Sequence, residues 1–132
     1  MNQLLIKRAY SAAGNTDGYR ILIDRLWPRG LSKDKAAVDE WHREIAPTSD
    51  LRKWFGHKEE NFSRFSEGYT RELDANPAAP LFAQHIGELL KEGNVTLVFG
   101  AKSPVCNHAV ILQRWILEHL CHQERINKQE NK

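Results

Sequence analysis

Residues 95–99, Val-Thr-Leu-Val-Phe, constrain the fold of this chain more than any other segment. Gly93-Asn94 and Gly100 bound the run sharply, and five residues are too few for a helix. It has no polar face, which is the pattern of a central strand covered on both sides, and therefore of a parallel sheet.

Other segments supply the layers around it. Leu4, Ile6 and Arg8 alternate with Gln3, Leu5 and Lys7, which suits a short strand. Tyr19 to Asp24, YRILID, reads as a second strand after the loop AYSAAGNTDG. The segment 38–45 fits a strand and a helix equally well. Thr48 or Ser49 caps a helix through Trp54 and Phe55 that Gly56 closes. Phe62, Phe65, Tyr69 and Leu73 then lay an aromatic stripe along a second helix. NPAAP breaks the chain at 76–80, and Phe82, Ile86, Leu89 and Leu90 form the next apolar face. The last helix is predicted from about Asn107 to about His122. Residues 1–122 are thus expected to form a single compact α/β domain, with helices packed on a small, mostly parallel sheet. The polar tail 123–132 is expected to fray.

The size agrees with one domain: 132 residues suffice to bury roughly two-thirds of the unfolded surface without a staple. With 41% apolar and 27% charged residues, the chain is neither low-complexity nor wholly disordered. Met1 to Tyr10 contains three consecutive apolar residues before Lys7 and Arg8, which is no signal-peptide core, and no run approaches a membrane span. The expectation is a cytoplasmic protein without membrane partners. Cys106 and Cys121, if on one helix, lie over ~20 Å apart, beyond the ~7 Å reach of a disulfide.

The net charge of +2 hides an uneven distribution. Residues 1–35 carry seven Lys/Arg against three Asp, residues 36–92 seven against eleven acids, and residues 93–132 five against three. Both basic ends contain a loop that follows an apolar strand. The first is Asp24-Arg-Leu-Trp-Pro-Arg-Gly30, with Lys33 and Lys35 beyond it; the second is Gly100 to His108, leading into the last helix. Ligands of open α/β sheets bind beyond the carboxyl ends of parallel strands. Neighbouring parallel strands would bring Asp24, Arg25, Arg29, Lys102, Asn107 and His108 together beside a helix N-terminus, an arrangement suited to phosphate or carboxylate.

Each residue also has a plainer role. Asp24 would pair with Arg25 or Arg29 or cap the turn; Trp27 beside Pro28 would be a packed lid; Asn107 would be an N-cap. Ser103, followed by Pro104, offers an alternative cap. Cys106 at a helix start suggests a thiolate, but position 112, where a thiol phosphatase loop carries Arg, is Leu. His108 and His119 lie roughly 16 Å apart along a helix and share no ion, and no CxxC completes a zinc site. No metal or cofactor is therefore expected. Walker and dinucleotide motifs are missing.

DGYRILIDRLWPRGLSK, DEWHREIAPTSDLRKWF, the F-x-x-x-Y-x-x-EL pattern at 65–73 and TLVFGAK…NHAVIL together resemble the domain-of-unknown-function 488 family. The resemblance covers about residues 3–120 and points to its short, stand-alone bacterial branch, which is biochemically uncharacterised. Asp24, Arg25, Pro28, Arg29, Gly30 and Lys33 match the family's first motif. Ala101, Lys102, Asn107, His108 and Ala109 match its second. A longer branch carries a Cys-His-Arg triplet near the second loop, where this chain reads Cys106-Asn107-His108 without the Arg. Cys106 also departs from the usual residue of the short branch, which weakens a cysteine mechanism.

The leading expectation is a small anionic ligand at the strand ends, in a protein that is a hydrolase or transferase if it is an enzyme. Arg25, Trp27, Arg29, Lys33, Lys102 and Asn107 would bind that ligand, with Asp24 and His108 available for proton transfer. An alternative is a nucleic-acid-binding or regulatory module that uses the basic loops and Trp27 as a stacking surface. A third is a structural or partner-binding protein without catalysis.

Overall fold

In a computed structural model, which describes residues 2–130, the strand at 95–99 lies in the middle of the sheet. The strands are β1 (Leu4–Arg8), β2 (Tyr19–Leu22), β3 (Glu40–Trp41) and β4 (Val95–Phe99), in the spatial order β1-β4-β2-β3. Every pairing is parallel. Val95 faces Leu4 on one side and Tyr19 on the other, and Leu97 faces Ile6 and Ile21. All five residues of β4 are buried, as a strand with no polar face requires.

The helices are α1 (Lys33–Ala36), α2 (Ser49–Phe55), α3 (Phe62–Ala75), α4 (Ala78–Leu90) and α5 (His108–Glu130). Thr48 is the cap of α2: its Oγ1 accepts from the Leu51 N–H at 3.3 Å, and Gly56 ends the helix in the left-handed region. The predicted aromatic stripe of α3 faces inward, with Phe65, Tyr69 and Leu73 each at most 2% exposed. Phe55 of α2 stacks on Phe65 with centroids 4.2 Å apart, joining α2 to the core. Fully burying a side chain of this size stabilises by roughly 1.5–3 kcal/mol, so this face, not intrinsic propensity, holds the helices.

Two segments depart from the sequence reading. Residues 38–45 are neither all strand nor all helix: Glu40–Trp41 pair with β2, and Arg43–Ile45 form one 3-10 turn. The last helix reaches Glu130, well past the end expected near His122. Gln123 to Glu130 contain no Gly or Pro to stop it. The expected fraying of the tail falls partly on 131–132, outside the described residues.

Near the amino ends of the strands, a buried charge network ties the first loop to the sheet. Arg20 is 3% exposed and donates from Nη1 to Asp17 at 2.6 Å, from Nη2 to Ala36 O and from Nε to Ala37 O. Lys7 Nζ and the Gly14 N–H also reach the Asp17 carboxylate, at 3.0 Å each. Burial alone would raise the Asp17 carboxyl, but the bonds from Gly14, Lys7 and Arg20 outweigh it and hold the group below its ordinary value.

Candidate functional site

Because β2 and β4 are parallel neighbours, the loops that leave them emerge at the same sheet edge, and a pair of short contacts fastens them together. The Gly100 N–H donates to Asp24 Oδ2 at 2.9 Å. A Cβ at position 100 would lie 2.9 Å from that same oxygen, so glycine permits the close approach. His108, the first residue of α5, places Nε2 3.0 Å from Ile23 O. A carbonyl only accepts, so Nε2 carries the proton. Asp24 Oδ1 is 3.2 Å from that nitrogen but out of line with its N–H, and this buried oxygen has no aligned donor.

A cavity of about 270 Å³ opens between the two loops and α2. Its inner wall is buried and formed by Phe55, Phe65, Pro28, Ala46, Pro47 and Asn107. Asp24, Arg25, Trp27, Arg52, Ala101 and His108 stand half-buried at middle depth. Tyr10, Leu26, Arg29 and His57 are exposed at the mouth. Three guanidiniums therefore share the cavity with one carboxylate, and none of the three has a carboxylate partner within ion-pair distance among the described residues.

Arg25 is partly committed to the backbone. Its Nη2 donates to Ala46 O at 3.2 Å and its Nε, more weakly, to Pro47 O at 3.3 Å. These bonds belong to a strap, residues 44–48, in which every carbonyl up to Pro47 is held by a side chain. Asn76 donates to Glu44 O at 3.0 Å, and Tyr69 Oη donates to Ile45 O at 2.6 Å. Burial pushes the Tyr69 phenol well above its ordinary value, so it stays a donor. Thr48 closes the strap on Glu72 through its N–H and Oγ1.

Of the sequence-predicted residues, Asp24, Arg25, Trp27, Arg29, Asn107 and His108 all line this one cavity. Lys33, exposed at the start of α1, and Lys102, exposed in the second loop, lie outside the lining. Asp24 pairs with neither Arg25 nor Arg29; its Oδ2 instead accepts from the Gly100 N–H of the other loop. Trp27 is a packed lid, its Nε1 bonded to Leu31 O at 2.7 Å and its ring edge-on to Trp41. Asn107 is 1% exposed and caps α5: Oδ1 accepts from Val110 N–H and Nδ2 donates to Ser103 O. The helix starts at His108, so Asn107 and not Ser103 is its cap; Ser103 Oγ accepts from the Val105 and Cys106 N–H groups in the bend before it. Cys106 does not line the cavity.

Arg52 and His57 went unrecognised in the sequence, and α2 brings both to the cavity. His57 follows the Gly56 cap with φ +59°, a left-handed backbone that costs a non-glycine residue about 1–2 kcal/mol. Among the described residues no cluster of three or more His, Cys, Asp or Glu is placed to hold a metal ion, and no helix is long and apolar enough to cross a membrane.

Comparison with known proteins adds kinship. A family model described as the inactive DUF488-N3 subclade matches residues 3–132. The chain is 40% identical over 110 residues to the uncharacterized protein YeaO of Escherichia coli K12, covering 83% of this chain and 93% of that protein. It is 33% identical over 107 residues to the uncharacterized protein Rv3073c of Mycobacterium tuberculosis H37Rv, covering 81% and 87%. No solved structure matches it. The motif loops, the parallel sheet and the match along nearly the whole sequence agree, and the chain belongs to the domain-of-unknown-function 488 family.

Proposed function

We propose that the cavity at the strand ends binds a small anionic ligand and does not turn it over. The observation that carries this reading is the set of three guanidiniums, Arg25, Arg29 and Arg52, around one cavity without carboxylate partners. Arg25 and Arg52 are half-buried and Arg29 is exposed; half-buried cations without counterions favour an anion, because the surrounding lower dielectric strengthens the attraction.

Binding without chemistry is supported by what the lining lacks. It holds no Ser, Thr, Cys or Lys to act as nucleophile. The two groups offered for proton transfer are each partly committed to holding the loops: Asp24 Oδ2 accepts from Gly100, and His108 spends its N–H on Ile23 O. The subclade's description as inactive points the same way. Nucleic-acid binding has less support, since Trp27 is half-buried, bonded through Nε1 to Leu31 O and packed against Trp41.

Titration with inorganic phosphate and acetate at low salt tests the reading. Arg52 makes no side-chain hydrogen bond among the described residues, so Arg52→Gln removes a charge with little structural cost. Loss of one charged hydrogen bond is worth about 1.5–3 kcal/mol, so affinity is expected to fall at least tenfold. Equal affinity in the variant, or no binding of either anion to the wild type, would sink it. His57→Gly gives a second, oppositely signed readout. Relieving the left-handed backbone should raise stability by about 0.5–1 kcal/mol in urea denaturation, while loss of the imidazole weakens anion binding a few-fold. If stability falls, the backbone at 57 is not strained.

A further inference from the structure

The cavity is graded by depth, and the gradient specifies the ligand. Its inner wall is apolar in effect: Phe55 and Phe65 are 3% and 2% exposed, and Pro28, Ala46 and Pro47 complete it. Asn107, the polar residue there, spends its amide oxygen and nitrogen on Val110 N–H and Ser103 O. The Ala46 and Pro47 carbonyls are taken by Arg25. A hydroxyl or amide set against these buried side chains would lose its water, with Asp24 Oδ1 the one unpartnered buried side-chain acceptor among the described residues of the lining, and each group left unpaired costs ~1–3 kcal/mol. The cations, by contrast, stand at middle depth and at the mouth.

Size narrows the choice further. A cavity of about 270 Å³ lies just below the roughly 300–1,000 Å³ of sites for drug-sized ligands, so it suits a smaller molecule. That is one ring, or a short branched chain, plus a head group.

We infer that the ligand is a compact amphipathic anion: an apolar body no larger than a single ring against Phe55 and Phe65, with its carboxylate or phosphate facing Arg25 and Arg52. This rests on the anion-binding reading above and goes beyond it, because it disfavours sugar phosphates and nucleotides, most of whose hydroxyls would meet buried apolar side chains.

The test is a calorimetric titration of the full chain with three pairs of probes. Benzoate is compared with acetate, phenyl phosphate with inorganic phosphate, and ribose 5-phosphate with inorganic phosphate. The expected result is at least tenfold tighter binding of each ring-bearing anion than of its bare head group, with no gain from the ribose. Whichever of benzoate and phenyl phosphate binds tighter identifies the head group. Bare anions binding as tightly as ring-bearing ones would overturn the inference and leave the anion site standing. Tighter binding of ribose 5-phosphate would overturn it in favour of a polar ligand. No binding by any probe would overturn both.

Discussion

Gly18→Ala is expected to remove a large share of the stability of this fold. Gly18 has φ +67°, and a Cβ built there would lie 1.9 Å from Asn94 O and 2.6 Å from its carbonyl carbon. Both obstacles are backbone, so no rotamer change relieves them. Asn94 also has no freedom to retreat. Its carbonyl accepts from Tyr19 N–H at 2.9 Å, its Oδ1 from Gln3 N–H at 2.8 Å, and its Nδ2 donates to Thr16 O at 2.8 Å. One residue thus fixes the starts of β1, β2 and β4, and moving it disturbs all three. The loss should exceed ~4 kcal/mol, a large share of the ~5–15 kcal/mol that holds a domain together. Urea denaturation followed by circular dichroism would measure it. Gly93→Ala is the control: nothing lies within 4 Å of a Cβ there, and the change should be under ~1 kcal/mol. A Gly18→Ala protein as stable as the control would mean that the 16–18 loop repacks freely.

Arg20→Met should cost about 2–4 kcal/mol at neutral pH, because it leaves the buried Asp17 carboxylate with Lys7 and the Gly14 N–H alone and orphans the Ala36 and Ala37 carbonyls. The loss should also depend on pH, with a sign that follows from Asp17. Its carboxyl is held below the unperturbed 3.8 in the folded state. Its contribution is therefore complete above about pH 4 and is lost as pH falls through the folded value. The variant lacks the guanidinium partner and so has less to lose in acid. The stability gap between wild type and Arg20→Met is expected to be full at pH 6–7 and to narrow below pH 4. A gap of the same size at pH 7 and pH 3 would assign the whole effect to the two carbonyls and none to Asp17.

Much of this architecture was legible because its signals are local. VTLVF between glycines announced a central parallel strand, and parallel neighbours necessarily send their following loops to one edge. That inference brought Asp24, Arg25, Arg29 and His108 to a single cavity without knowledge of the helices. The charge tally was a poorer guide. It favoured the two basic ends, yet Lys33 and Lys102 point away from the lining, while Arg52 and His57 come from the acidic middle. A segment's sum says nothing about which face of a helix its cations occupy. The signal for α2 was nevertheless present, since a helix capped at Thr48 and closed at Gly56 carries Arg52 a turn from Phe55. Residues 38–45 were undecidable for another reason. Glu40 and Trp41 owe their strand geometry to pairing with β2, and Arg43 to Ile45 owe their turn to the strap, both tertiary effects.

The position of β4 between β1 and β2 also sets the order in which this protein completes itself on the ribosome. The first two strands do not pair with each other; each waits for the same partner, which emerges about 75 residues after β2, or roughly 4–15 s later at ordinary rates of synthesis. During that interval β1 has no neighbour and β2 has a two-residue one. The sheet therefore completes itself late, when the final third of the chain supplies the apolar strand with which β1 and β2 both pair.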